Sequence, residues 1–242
     1  MLRSIKDMTG YKVITIDGSI ASLSGFLFDD KTWLIRYSIA EMPVAGTGSA
    51  KKVLIAPFSF GIPDPEHKEF PLTLSRQKIQ ESPPVDLERP VTRKQQLELY
   101  RYYGWPPYDK NPLNSIQLHL HVHNGEEEES IAGSHLINTE ETVGYRIEAP
   151  DGGAGHVHDF IIDDAVWIIR YIEIDLGERT SGRKVLIFPK VIQEIDRDGA
   201  GVVISLMKDT VMNSPEYDES LPIERAYEVK LHQYYGFLRY WD

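Results

Sequence analysis

GYKVITIDGSIASLSGFLFDDKTWLIRY, residues 10–37, returns as GYRIEAPDGGAGHVHDFIIDDAVWIIRY, residues 144–171. The two 28-residue stretches align without a gap at an offset of 134 and are identical at eleven positions. The shared residues are landmarks: Gly10-Tyr11 and Gly144-Tyr145, Asp17-Gly18 and Asp151-Gly152, Phe26 and Phe160, Asp29-Asp30 and Asp163-Asp164. Trp33 with Ile35-Arg36-Tyr37 likewise returns as Trp167 with Ile169-Arg170-Tyr171. Further along the offset becomes 132, which carries Lys52 to Ile55 with Pro57 onto Lys184 to Ile187 with Pro189, and Tyr102-Tyr103-Gly104 onto Tyr234-Tyr235-Gly236. Solenoid and propeller repeats run roughly 20 to 50 residues, so a repeat of this length predicts two domains, each with its own core. We place the copies at residues 1–110 and 136–242, with 111–135 as a linker holding a His-rich strand and an acidic loop.

Within each copy the turn signals are closely spaced. Tyr11, Val13 and Thr15 alternate up to Asp17-Gly18, a dipeptide suited to a two-residue hairpin. A strand through Phe26 and Phe28 leads to Asp29-Asp30-Lys31, and the chain returns through Trp33 to Tyr37; copy two repeats this order. The next strand, Lys51 to Ala56 or Lys184 to Phe188, is closed by Pro57 or Pro189, which cannot donate to a ladder. Thr92 to Tyr103 and Glu224 to Tyr235 read as single amphipathic helices stopped by Gly104 and Gly236. Many short strands with one terminal helix predict a mainly β protein with short helices, each copy a small sandwich or closed barrel with a helical extension.

Composition narrows the function classes. The 242 residues contain no cysteine, which excludes disulfides, thiolate zinc sites and a thiol nucleophile. No stretch approaches the roughly 20 apolar residues of a membrane span, and the N-terminus lacks the apolar run of a signal peptide, so the expected location is the cytoplasm. Residues 1–110 carry 15 Lys/Arg against 13 Asp/Glu, whereas 111–242 carry 11 against 24. That acidic second half argues against nucleic acid, which is bound by clustered Lys/Arg.

The succession in copy two resembles the PRC-barrel family, named after the cytoplasmic domain of the photosynthetic reaction-centre H subunit. The residues that carry the resemblance are the Gly-Tyr start, the Asp-Gly turn, Gly155 to Phe160 with Asp163-Asp164, Trp167 to Tyr171, and Gly182 to Ile187 with Pro189. The later run Asn213 to Asp218, Pro222-Ile223 and Tyr234 to Gly236 is similar to the tandem, soluble bacterial branch. Copy one departs from the pattern, with Ser22-Leu23-Ser24-Gly25 in place of His156-Val157-His158-Asp159. The resemblance implies two tandem small β-barrels and a non-enzymatic role as a scaffold or protein-interaction module in the bacterial cytoplasm. It brings no catalytic motif, and a peripheral role in a photosynthetic electron-transfer complex is implied by fold analogy alone.

Several residues invite chemistry. His119, His121 and His123 alternate in QLHLHVH, so a strand would present all three on one face, a spacing at which imidazoles ligate zinc or nickel. A metal-binding sensor or storage protein using a divalent ion is therefore the alternative function; a half-buried strand with a polar histidine face is the structural reading of the same residues. His156 and His158 alternate within the barrel pattern and are expected at its rim, where they could meet a partner. The acidic pairs at 29–30 and 163–164 fit turn chemistry better than acid–base catalysis, and Arg36 and Arg170 are expected to pair with barrel acids. Trp33 and Trp167 are expected in the cores; Trp105 and Trp241, near the helix ends, are the interface candidates. We expect no catalytic residues, a protein partner, and scope for self-association.

Overall fold

The computed structural model describes residues 1–43, 46, 49–87, 89–105, 136–177 and 182–242. The first copy supplies β1 (Leu2–Ser4), α1 (Ile5–Met8), β2 (Lys12–Thr15), β3 (Gly18–Asp29), β4 (Ile35–Pro43), β5 (Ala50–Ile55), β6 (Glu69–Pro71), α2 (Arg76–Gln80) and α3 (Arg93–Tyr103). The second supplies β7 (Leu136–Asn138), α4 (Thr139–Thr142), β8 (Arg146–Ala149), β9 (Gly152–Asp163), β10 (Ile168–Asp175), β11 (Lys184–Ile187), β12 (Ile192–Asp196), β13 (Gly201–Ile204), α5 (Lys208–Met212) and α6 (Arg225–Tyr235). The protein is mainly β, with two sheets and short helices, and no described helix is long and apolar enough to cross a membrane.

The chain divides into two compact units, residues 7–138 and residues 1–6 with 139–242. These N-terminal and C-terminal units differ from the division expected at residues 110 and 136. The reason is a reciprocal exchange of strands. β1 precedes the first copy, yet it pairs antiparallel with β9 of the second, Leu2 opposite Asp163. β7 precedes the second copy, yet it pairs antiparallel with β3 of the first, Leu136 opposite Asp29. Both register pairs obey the same offset of 134, so the exchange is as symmetric as the repeat itself. Each three-residue strand extends the edge of the long strand that already carries β2 or β8, and thereby shortens an exposed edge.

The sheets share one plan. The N-terminal unit has the order β5-β4-β3-β2-β6 and the C-terminal unit β11-β10-β9-β8-β13-β12, with β6 and β13 parallel to β2 and β8. Neither order returns to its starting strand among the described residues, so the closure expected of a barrel is not seen in the hydrogen bonding. The chain leaves β5 and β11 into 3₁₀ turns at Pro57–Ser59 and Pro189–Val191, and helices rather than further strands cover the apolar face. Leu99 and Tyr103 of α3 bury against Leu27, Tyr37, Ile39 and Leu54; Leu231 of α6 does the same against Ile161, Tyr171 and Leu186. Burying side chains of this size stabilises by roughly 1.5–3 kcal/mol each.

Local chemistry explains the repeated landmarks. Asp29 accepts from the amides of Lys31 and Thr32, and its carbonyl accepts from Trp33 N; Asp163 does the equivalent for Ala165 and Trp167. The tryptophans stand in left-handed backbone at φ 60° and 53°, closing the turns instead of alternating within a strand. Trp167 is buried as expected, while Trp33 is half-buried and stacks on Phe28. Arg36 lies 3.7 Å from Asp29 and Arg170 donates to Asp163 at 3.1 Å, as expected for ion pairs that brace the turn.

Candidate functional site

The two sheets carry a β-bulge at the same place. In β9 Val157 and Asp159 oppose Ile174 and Glu173, leaving His158 as the extra residue; in β3 Leu23 and Gly25 oppose Ala40 and Ile39, leaving Ser24. A bulge turns neighbouring side chains out of strict alternation and commonly re-aims them at functional places. In the C-terminal unit it gathers His158, Asp159 and Glu173, and Lys184 from β11 and Glu219 from the loop between α5 and α6 complete the group. In the N-terminal unit the corresponding residues are Ser24, Gly25, Ile39, Lys52 and Leu87. Ile39 is fully buried in the core, Leu87 packs on it, and Lys52 points outward to Glu41. One backbone plan therefore forms with either an apolar or an ionic filling, and the ionic one is not a requirement of the fold.

The geometry of the ionic filling is close. The Lys184 ammonium lies 2.8 Å from His158 Nε2 and 3.2 Å from Glu173 Oε1, and donates to Glu219 Oε2. Lys6 Nζ lies 3.0 Å from the same Nε2. An ammonium can only donate, so Nε2 is the acceptor and the neutral imidazole keeps its proton on Nδ1. Burial, then the charges of Lys184 and Lys6, lower the His158 pKa from its ordinary value. Asp159 is buried and accepts from Ser4 Oγ, from Lys6 N at 3.1 Å and from its neighbour Phe160 N at 2.7 Å.

Glu173 is the anomalous member. It is 1% exposed, and its Oε1 has no hydrogen-bond partner besides the 3.2 Å ion contact with the Lys184 ammonium. Burial pushes its carboxyl up to about 7, against the pull of Lys184. Glu219, more than half exposed, is held below the ordinary glutamate range by the Lys184 hydrogen bond. Burial opposes the charge on Lys184, but Glu219 and Glu173 outweigh it and raise the lysine.

Elsewhere in this unit, a cleft of about 530 Å³ is lined by Arg146, Glu148, Gly152, Gly155, His156 and Leu176. Gly155 is required there: at φ +108° an added Cβ would stand 2.4 Å from the Asp175 carbonyl oxygen. A third buried carboxylate, Glu228 of α6, is fully satisfied. The hydroxyls of Tyr171 and Tyr240 each donate to Oε1 at 2.7 Å, and Arg225 pairs with Oε2 at 2.7 Å.

The residues singled out from sequence are distributed accordingly. His158 lies in the ionic cluster and His156 is exposed at the cleft. Trp105 is 8% exposed and stacks on Tyr103 at 4.1 Å, so this copy's tryptophan fills the core of the N-terminal unit instead of facing a partner. The reason is the left-handed cap at Gly104, φ 72°, which turns the chain back onto the sheet. Trp241 is half-buried, with the Arg225 guanidinium over its ring at 3.9 Å and His232 against it. His119, His121 and His123 lie outside the described residues. Sequence reasoning did not single out Glu173, Lys184 or Glu219, although Glu173 had a readable signal: a carboxylate inside the apolar run IIRYIEID where copy one has Ile39. No family model matches the chain, and comparison with curated proteins gives no significant match.

Proposed function

We propose that the protein is a non-enzymatic interaction module built from two PRC-type units, with its recognition surface on the C-terminal unit. The observation that carries this reading is the contrast at the shared bulge. A duplicated scaffold that needs only an apolar filling in one unit holds His158, Glu173, Lys184 and Glu219 in the other, and that same unit has a cleft that presents His156, Arg146 and Glu148. Groups that the fold can do without, reaching the surface at His156 and Glu219, are where binding chemistry resides. The resemblance of the repeated landmarks to PRC-barrel domains supports the same reading. The expected partner is a protein offering both charge signs, because the cleft is lined by both an arginine and a glutamate.

The test is recovery of the full-length tagged chain from its native cells after mild cross-linking. A stoichiometric protein partner is expected with the wild type, lost from a His156→Ala/Arg146→Ala variant and retained by the matching first-copy variant Ser22→Ala/Lys12→Ala. A chain recovered without any stoichiometric protein would overturn the proposal.

A further inference from the structure

We propose that His158, Glu173 and Glu219 form a binding site for a divalent transition-metal ion of the zinc class, held in competition with the Lys184 ammonium. Its donors are other residues than His119, His121 and His123, and it draws on the same ionic cluster as the protein-interaction reading without requiring a protein partner. Nε2 of His158 and one carboxylate oxygen each of Glu173 and Glu219 lie within 4.8 Å of one another. One imidazole and two carboxylates are a donor set zinc accepts, at roughly 2.0–2.2 Å per ligand. Contracting the three atoms onto such an ion asks each to move by about an ångström or less. Glu219 stands on an exposed loop, which permits that movement.

Two further observations point to a cation. Glu173 is a buried carboxylate whose Oε1 has no hydrogen-bond partner besides its 3.2 Å ion contact with Lys184, and a buried carboxylate oxygen so placed depends on a cation to complete it. The donors also already converge on a positive charge, because the Lys184 ammonium contacts all three of them. Lys184 thus marks the point where a cation is favoured and is the internal competitor for it. Lys6 adds a second positive charge at His158 Nε2, but it is exposed and free to turn outward. His158 Nε2 is unprotonated and acceptor-only, the state in which imidazole ligates a metal. The first copy is a built-in control, since Ser24, Ile39 and Leu87 offer no equivalent donor set.

The experiment is calorimetric titration of Zn²⁺ into the full chain carrying His119→Ala, His121→Ala and His123→Ala, which removes the other histidine cluster. One zinc ion per chain is expected. Glu173→Gln and His158→Gln should each weaken binding at least tenfold, while Lys184→Met, which deletes the competing ammonium, should tighten it at least tenfold. Circular dichroism checks that each variant is folded, and Glu219→Gln, on an exposed loop, provides a loss-of-ligand variant that spares the core. No zinc binding to the Lys184→Met protein, or binding that Glu173→Gln and Glu219→Gln both leave unchanged, would overturn the proposal.

Discussion

Glu173 ties the chemistry of one residue to the pH response of its unit. Its folded-state pKa is raised from 4.5 to about 7 by burial, so between those values the folded chain holds a proton that the unfolded chain has released. The stability it contributes is fully present below about pH 4.5 and is lost as pH rises through about 7, with a slope up to about 1.4 kcal/mol per pH unit. His158 has the opposite sign: its pKa is lowered, so its contribution is present above the ordinary histidine value and lost as pH falls through the folded one. The difference between wild type and Glu173→Gln isolates the carboxyl. Measured by denaturant unfolding in chelator, wild-type stability relative to that variant should fall by about 2–3 kcal/mol from pH 5 to pH 7. A difference that stays flat would show that Glu173 is ionised throughout. At Gly155 the physics is steric. Gly155→Ala should cost about 2–4 kcal/mol, because the left-handed backbone and the Asp175 carbonyl both resist a Cβ. The equivalent residue in copy one is already Ala21, in ordinary backbone, and Ala21→Gly should cost no more than about 1 kcal/mol.

At the scale of elements, helices and turns were the most legible. Thr92 caps α3 through its hydroxyl to Gln95 N, Gln95 returns the bond to Thr92 N, and Gly104 ends the helix in left-handed backbone. The matching helix α6 ends the same way at Gly236, but Glu224 at its start gives no side-chain cap. Thr92→Ala should therefore destabilise by about 1 kcal/mol, whereas Glu224→Ala should stay within about 0.5 kcal/mol, both read by thermal unfolding. Helix limits, the strands after Asp17-Gly18 and before Pro57, and the Asp-Asp turns all follow from local signals of backbone preference and hydrogen bonding. The bulge did not, since the extra residue in β3 or β9 exists only relative to a paired strand. For the same reason the candidate site was half legible. His158 stood out by composition, but its partners on β10, β11 and the 214–221 loop are brought together by strand register.

For the whole molecule, the exchanged strands make a prediction that chain order alone would reverse. Deleting residues 1–6 removes β1, together with the donors that Ser4 and Lys6 give to Asp159, from the C-terminal unit. Hydrogen exchange should then accelerate at residues 161–163 of β9, a segment more than 150 positions away in sequence, while residues 12–15 of β2 keep their protection. Leu136→Asp should do the converse, loosening residues 27–29 of β3, since Leu136 is buried and sits opposite Asp29. Equal loosening of both units by either change would contradict the exchange. The sequence by itself determined the duplication, the mainly β character, the turns and the capped helices, because these rest on offsets, periodicity and local backbone chemistry. Only the tertiary structure decided which strand completes which sheet, that helices cover faces where a closed barrel was expected, and that a carboxylate buried at an isoleucine's position meets a histidine and a lysine. Those outcomes depend on pairing and packing between residues far apart in the chain, which no local pattern encodes.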